Sequence, residues 1–155
     1  MPKTSFWPHI KDELTKYNFK VIVFTILFTL GEGLMTTDVE NTDEFEEWWG
    51  GLDESEQESV EAVVQLLEEH GPHLNFPHSS GIALSRHGHM RELRIQHKGN
   101  PYRVLYAFDP RRNAILLIGG NKKGNDDWYK KYIPVADRLY EEHLAGLEAE
   151  RKKLN

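Results

Sequence analysis

Apolar residues recur at helical spacing in three stretches of the chain, and each stretch is flanked by residues that commonly begin or end a helix. Thr42 stands before Asp43 and Glu44, which is the usual setting of an N-cap, and a Gly-Gly pair follows the stretch. The second stretch, ESEQESVEAVVQLLEEH, follows Asp53 and ends at a Gly-Pro pair. The third begins at Pro134, which suits a first helical turn. The apolar positions of the three predicted helices are, in order, Val39, Phe45, Trp48, Trp49 and Leu52; Val60, Val63, Val64, Leu66 and Leu67; and Val135, Leu139, Leu144 and Leu147.

Between the second and third helices the apolar period changes to two, which indicates strands. The turn sequences HG, KGNP and DPRRN separate these segments, and the long polar loop GGNKKGNDD follows the last of them. The four predicted strands are Ile82–Ser85, Met90–His97, Tyr102–Phe108 and Ala114–Ile118. The order of helix, helix, consecutive strands and helix predicts an α+β fold with a mostly antiparallel sheet of about four strands.

The alternation of side chains along the two central strands assigns their faces. Leu93 and Ile95 share one face, which we expect to pack against the helices. Arg94 and Arg103 then lie together on the other face, which we expect to be open and basic. Two cations on neighbouring strands repel each other unless an anion bridges them. The alternative is a solvated face on which Glu92 pairs with one of the arginines.

Charge is unevenly distributed along the chain. The net charge is −6, yet residues 35–85 hold thirteen Asp and Glu and no Lys or Arg, whereas residues 86–131 hold eleven Lys and Arg and four acids. A basic surface attracts polyanions locally whatever the net charge. The alternative is that acidic helices cover a basic sheet. There is no cysteine, which excludes disulfides and thiolate chemistry.

The basic half contains a set of residues suited to a phosphodiester. Arg94 and Arg103 can bind phosphate oxygens and stabilise the charge that develops on phosphorus. The loop after the last strand adds Lys122 and Lys123, and Tyr129 can stack on a base or align a proton transfer. RNA supplies its own nucleophile, the 2′-hydroxyl, so this chemistry requires neither a metal nor another cofactor.

Residues 1–34 differ from the rest of the chain. Their apolar run, FKVIVFTILFTL at positions 19–30, is too short to span a bilayer and lacks the cleavage site of a signal peptide. We therefore predict an N-terminal extension of uncertain role over residues 1–34, a single domain over residues 35–155, and a cytoplasmic location.

Two histidines, His87 and His89, stand two positions apart in the sequence RHGH. Either could act as a general base, because histidine titrates near neutral pH. Histidines at a strand edge that bond to the backbone or touch RNA are the alternative we favour. Apart from Glu92, no carboxylate stands at ligand spacing from them, and we expect no metal here.

Several segments of the basic half resemble the RelE/HigB superfamily of toxin–antitoxin toxins, in particular its phage-derived HigB-like branch. They are SRHGHMRELR, GNPYRVLYAFDPRRNAILLIGGNKKG, WY and ADRLYEEHLAGLE. The resemblance implies a RelE-like microbial RNase-type fold, ribosome-dependent cleavage of mRNA, and an antitoxin with a helix-turn-helix domain as partner. Arg103, Lys122 or Lys123, and Tyr129 match catalytic positions of such toxins, and Arg94 matches one more loosely.

The other arginines of the basic half extend this prediction to RNA binding. The predicted RNA-binding residues are Arg86, Arg91, Arg94, Arg111 and Arg112. The acidic stretch at residues 35–85 and the segment 1–34 depart from the pattern of these toxins. A toxin-fold protein that binds a protein target, and a non-catalytic member that only binds its partner, are therefore the alternative functions.

Overall fold

The computed structural model describes residues 36–155, so the predicted extension over residues 1–34 lies outside the described residues. Three helices and five strands follow one another along this part of the chain. They are β1 (Val39–Asn41), α1 (Asp43–Gly50), α2 (Glu54–His70), a 3₁₀ turn (Gly71–His73), β2 (Ser79–Gly81), β3 (Arg91–His97), β4 (Asn100–Phe108), β5 (Ala114–Asn121) and α3 (Trp128–Leu154).

The sheet has the order β1-β5-β4-β3-β2. Neighbouring strands are antiparallel except β1, which runs parallel to β5 and pairs Val39 with Ala114. The α+β fold and its helices are confirmed, with one more strand than predicted. Val39 was assigned to a helical pattern, but it begins β1, which at three residues is too short to display a period of two.

Both N-terminal helices begin at the residues that the sequence indicates. The Thr42 hydroxyl accepts a hydrogen bond from the Phe45 backbone N–H at 3.1 Å and donates one to the Leu117 carbonyl at 2.6 Å, so the cap also joins α1 to β5. Asp53 and Glu56 form a reciprocal capping box at the start of α2. These caps fix how the two helices leave the sheet.

The predicted strand Ile82–Ser85 is wrong. The strand adjacent to β3 is Ser79–Gly81, a polar segment that the apolar pattern could not reveal. After it the chain turns towards α3, because the Ser85 hydroxyl and the Arg86 backbone N–H both donate to the buried carboxylate of Asp137.

Two boundaries near the polar loop also differ from the prediction. β5 continues through Gly119 and Gly120 to Asn121, and α3 begins at Trp128, so Pro134 lies inside the helix. The two glycines leave no room for a Cβ, because Trp48 packs against the first and Trp128 against the second. Pro134 cannot donate the backbone hydrogen bond of a helical residue, and burial of the Trp128 indole offsets the cost of that loss.

The sheet separates two apolar cores. One lies between the sheet and the helices α1 and α2, and it contains Leu93 and Ile95 as predicted. The other lies between the opposite face and α3, where Leu105 and Leu117 pack against Trp128. The prediction that this second face is open is therefore wrong over the length that α3 covers.

Among residues 36–155, the model contains no helix with the length and apolar character that crossing a bilayer demands.

Candidate functional site

Glu92 is a buried carboxylate at the centre of a cluster of polar groups, and only 3% of its surface is exposed. One oxygen, Oε1, accepts hydrogen bonds from Arg94 Nη1 and from the Ser80 hydroxyl, each at 2.9 Å. The other, Oε2, accepts the Tyr129 hydroxyl at 2.6 Å and lies 3.7 Å from Arg103 Nε. These partners replace the hydration that the carboxylate loses on burial.

Strand register brings the charges of this cluster together. Arg94 on β3 stands directly opposite Arg103 on β4, as the face assignment predicted. Glu92 lies two residues before Arg94 on the same face, and Ser80 on β2 stands opposite Glu92. Glu92 thus supplies the anion that two facing arginines require. The anion comes from the basic half of the chain itself, so an acidic helix is not what neutralises this pair.

Arg103 is buried as deeply as Glu92, with 3% of its surface exposed. Its Nη1 donates to the carbonyl of Tyr102 at 2.9 Å. Its Nε is buried without a hydrogen-bond acceptor, although it lies close to the Glu92 carboxylate. A buried donor without an acceptor costs about 1–3 kcal/mol, and a catalytic role is one of the reasons for which a protein retains such a group.

Tyr129 reaches the cluster from the first turn of α3. Burial raises the pKa of its hydroxyl, and the hydrogen bond to Glu92 and the charge of Glu92 raise it further, against the lowering effect of Arg103. The hydroxyl therefore keeps its proton at neutral pH. Lys122 Nζ lies 4.8 Å from the centre of the Tyr129 ring, which brings this lysine to the site.

The other loop lysine is placed differently. Lys123 is exposed, and its backbone N–H donates to the Asn121 side chain at 3.0 Å. The cation held against Tyr129 is Lys122, so the structure distinguishes two lysines that the sequence could not.

Phe76 stands beside the cluster on the loop before β2. Its surface is 73% exposed, and the Arg94 guanidinium carbon lies 5.4 Å from the centre of its ring. Phe76 lies in a polar loop without any period, so no pattern in the sequence indicates it. The central position of Glu92 was not predicted either, although its strand face places this acid beside both arginines.

Four of the predicted RNA-binding arginines lie away from this cluster. Arg91 points to the opposite face, where its guanidinium donates to the Leu74 carbonyl and lies within 3.3 Å of the Tyr106 hydroxyl. Arg86 forms a two-point ion pair with Glu141 on α3 at 2.8 and 2.9 Å. Both arginines therefore have partners within the fold.

The remaining two arginines lie in the turn between β4 and β5. Arg111 binds Asp109 at 2.7 Å and Glu40 at 2.9 Å, and Arg112 is exposed with a left-handed φ of 67°. This turn follows the far end of β4, about 17 Å from Arg103 at 3.4 Å per residue. Of the predicted site residues, the structure thus brings together Arg94, Arg103, Lys122 and Tyr129.

His87 and His89 also lie at that far end. His87 Nε2 is 3.2 Å from a Glu141 oxygen, and His89 Nε2 is 3.0 Å from the Tyr140 hydroxyl, which itself donates to the Phe108 carbonyl. The structure therefore does not place either candidate general base beside Arg103.

A second polar group contains Glu40, Asp109 and His143, whose potential ligand atoms lie within 4.8 Å of one another. Arg111 binds both carboxylates. Burial would raise the pKa of Asp109, but hydrogen bonds from His143 and Arg111 outweigh it and hold that pKa below its usual value. Arg111 thus already bridges the two carboxylates of this group, which joins β1 and α3 to the β4–β5 turn.

The chain is similar in sequence to a known protein family and to two named proteins. Residues 47–141 match the family model described as phage derived protein Gp49-like. The chain is 42% identical over 120 residues, 76% of its length, to a protein of Mycobacterium tuberculosis named putative toxin HigB2. It is also 42% identical over 102 residues, 65% of its length, to putative toxin HigB3 of the same organism. The matched regions cover 58% of HigB2 and 88% of HigB3.

Proposed function

Since this chain belongs to the phage-derived Gp49-like family of HigB-type toxins, we propose that it is the toxin of a toxin–antitoxin pair and cleaves RNA at the Glu92 cluster. The observation that carries the proposal is the buried Glu92 carboxylate, which contacts Arg94, Tyr129 and Ser80. Arg103 Nε lies 3.7 Å from it and has no hydrogen-bond acceptor. A carboxylate, a hydroxyl and two guanidinium groups are the components of acid–base cleavage at a phosphodiester.

The proposed reaction uses the 2′-hydroxyl of the RNA as nucleophile. Its proton passes to the Tyr129 hydroxyl oxygen while the Tyr129 proton passes to Glu92, so the buried carboxylate acts through the tyrosine that covers it. The 2′-oxygen bonds to phosphorus and the bond from phosphorus to the 5′-oxygen breaks. Lys122 protonates the departing 5′-oxygen. The products are a 2′,3′-cyclic phosphate and a 5′-hydroxyl end.

Arg103 and Arg94 have a separate role in this proposal. Their guanidinium groups balance the additional negative charge that develops on the phosphate oxygens as the nucleophile attacks. Donors held in place before the reaction stabilise such charge without reorganisation, and Arg103 is held by burial and by its bond to the Tyr102 carbonyl. The exposed Lys123 adds attraction to the RNA backbone.

We further propose that the substrate is mRNA on the ribosome. Within residues 36–155, the cations of the cluster that reach solvent are Arg94 and Lys122, with Lys123 exposed on the adjoining loop, and the chain has a net charge of −6. Binding to free RNA depends on the number of phosphates neutralised, so this chain alone would bind RNA weakly. A ribosome that already holds the mRNA would supply the missing positioning.

The partner that we propose is an antitoxin with a helix-turn-helix domain, encoded beside the toxin. An acidic segment of such a partner could cover Arg94 and Lys122 by charge complementarity. This would exclude RNA from the cluster and keep the toxin inactive.

The test is mRNA cleavage in a translating extract. We expect the parent chain to cut mRNA and leave 5′-hydroxyl ends, and Glu92→Gln to lower the cleavage rate about 10²–10³-fold because the proton acceptor is lost. Tyr129→Phe should lower it comparably if the hydroxyl relays the proton. Glu141→Gln, which alters a carboxylate that binds Arg86 away from the cluster, is the matched control.

Circular dichroism of each variant confirms that it is folded. A parent chain that leaves mRNA intact, or a folded Glu92→Gln variant that cuts at the parent's rate, would show that this cluster is not a nuclease site. Binding of the parent to a ribosomal or other protein without cleavage would favour the alternative of a toxin that acts on a protein target.

A further inference from the structure

Phe76 is an exposed aromatic residue on the loop before β2. Its ring is 73% exposed, whereas the large aromatic residues of both cores are buried. Exposed apolar surface that adjoins a group of cations commonly marks a binding site. Leu84 has the same exposed fraction, but it lies in the segment that turns towards α3 after β2. Phe76 is distinguished by its contact with Arg94.

The loop that carries Phe76 is held in place by the sheet. The backbone N–H groups of His78 and Ser79 both donate to the carbonyl of Asn75 at 3.1 Å, which closes a turn around Phe76. The Arg94 backbone N–H then donates to the His78 carbonyl at 2.8 Å and joins this turn to β3. The backbone that carries the ring is therefore held in place, so less conformational freedom is lost when a ligand binds.

One guanidinium connects the ring to the proposed reaction centre. The guanidinium of Arg94 lies over Phe76 and also donates to Glu92 Oε1. A phosphate bound by Arg94 would consequently lie within one side-chain length of the ring. Aromatic rings next to basic side chains bind single-stranded nucleic acid by stacking on a base while the cations hold the backbone.

We propose that Phe76 is the stacking platform for one nucleobase of the RNA, belonging to the nucleotide that carries the cleaved phosphate or to its neighbour. The proposal rests on the proposed nuclease function and adds a residue that positions the substrate. Stacking accepts every base but favours those with the larger ring system. Phe76 would therefore give the enzyme a preference for a purine at one position near the cut.

The experiment compares variants of the full chain in the translating extract, with cleavage sites mapped at nucleotide resolution. Phe76→Ala should lower cleavage about ten- to a hundredfold, the loss that follows removal of a stacked ring. Phe76→Leu keeps apolar bulk without the ring and should fall similarly, whereas Phe76→Trp should stay near the parent. Leu84→Ala is the matched control, because it removes an apolar side chain with the same 73% exposure and should leave cleavage unchanged.

The base preference of cleavage distinguishes stacking by Phe76 from a purely structural role of this residue. Phe76→Ala should lose the purine preference at one position and leave the other positions as they are. A second measurement uses RNA oligonucleotides of about 12 nucleotides, a length within the usual site size, each with one abasic position, at protein concentrations high enough to measure the weak binding expected for free RNA. The parent should lose affinity at one such position, and Phe76→Ala should show no further loss there.

Each outcome bears on the proposal. Equal cleavage and equal base preference in Phe76→Ala and the parent would overturn it, as would a loss of antitoxin binding alone, which would assign the ring to a protein interface. If the parent cleaves no RNA, the nuclease proposal fails. The abasic oligonucleotides then test by themselves whether Phe76 stacks on a base. If the parent loses affinity at one abasic position and Phe76→Ala does not, stacking by Phe76 is retained. Equal affinity of the parent for every abasic oligonucleotide would overturn the stacking proposal as well.

Discussion

Arg103 and Glu92 are charged side chains that the fold buries side by side. Each is 3% exposed, and 3.7 Å separates Arg103 Nε from Glu92 Oε2. Burial of this kind strengthens electrostatic interactions because little water is present to screen them. It also makes each partner depend on the other, since an unpaired buried charge is costly.

This burial changes what Arg103→Ala should do. An arginine on a solvated face could be removed for less than about 1 kcal/mol, whereas removal of one partner of a buried pair costs about 3–5 kcal/mol. We expect urea unfolding to show that larger loss, and cleavage by the folded fraction to fall about 10²–10³-fold. Arg103→Lys should recover only part of the activity, because an ammonium lacks the guanidinium fork.

Arg86→Ala is the control for that experiment, because Arg86 forms an ion pair at the surface and its removal should change stability by less than about 0.5 kcal/mol. Unchanged stability of Arg103→Ala would contradict the burial of this side chain. Unchanged cleavage by a folded Arg103→Ala would remove Arg103 from the mechanism.

Substitution of the two loop lysines should affect different kinetic parameters. Lys122 lies against Tyr129 and Lys123 is exposed. Lys122→Ala should therefore lower the cleavage rate at saturating substrate. Lys123→Ala should mainly weaken RNA binding, and the affinity should then depend less steeply on salt concentration, by the equivalent of about one phosphate contact. Rates measured at several salt concentrations distinguish the two effects. The reverse pattern would assign the proton-donating role to Lys123.

At the scale of elements, β5 is the strand that both helical layers approach most closely. Gly119 contacts Trp48 on one face and Gly120 contacts Trp128 on the other. Consecutive glycines at the end of a strand let two large indoles pack on opposite sides of the same backbone. The same packing begins α3 at Trp128 and so brings Tyr129 to Glu92.

Alanine at either glycine tests this packing. We expect Gly119→Ala and Gly120→Ala each to lower the free energy of unfolding by about 1–3 kcal/mol, because the added methyl group overlaps an indole ring. Gly146→Ala should have the opposite sign, a gain of about 0.5–1 kcal/mol, because it lies in an exposed helical turn with open space around it. Urea unfolding measures all three. Equal effects at the three positions would contradict the close approach of the tryptophans.

A second contact between elements predicts a dependence on pH. The Tyr102 hydroxyl on β4 donates to Glu56 on α2 at 2.7 Å. This bond is the largest cause, ahead of burial and the charges of Glu56 and Asp53, that raises the pKa of Tyr102 from 10.0 to about 12. The folded chain thus retains a proton that the unfolded chain loses first. The stability from this bond is complete below pH 10 and is lost as the pH rises towards about 12.

Tyr102→Phe removes the hydroxyl and keeps the ring. The difference in unfolding free energy between the parent and Tyr102→Phe should consequently shrink between pH 10 and about pH 12. Urea unfolding at a series of pH values gives this difference, in which the titration of other groups cancels. A difference that stays constant over this range would mean that the hydroxyl makes no such bond.

At the scale of the whole molecule, residues 36–155 form a sheet with an apolar core on each side. The remaining segment, residues 1–34, we propose to be an extension that the domain does not require. A chain that starts at Met35 should fold with a thermal midpoint within roughly 5 °C of the full chain, a shift equivalent to about 1 kcal/mol. Aggregation of the shortened chain would show instead that the apolar run at residues 19–30 belongs to the core.

The sequence by itself determined the local features of this protein. The period of apolar residues, the Thr42 and Asp53 caps and the turns depend on neighbours in the chain, so they could be read without coordinates. Alternation along β3 and β4 also placed Arg94 and Arg103 on one face correctly.

The tertiary structure decided how that face is used, because contacts between distant segments have no local signal. Packing of α3 on the sheet buries Arg103 and Glu92, and the turn before β2 brings Phe76 to Arg94. The same packing leaves Arg111 and the two candidate histidines at the far end. The period of apolar residues indicates which side chains are buried. Which charged side chains are buried with them is determined only when the helices pack on the sheet.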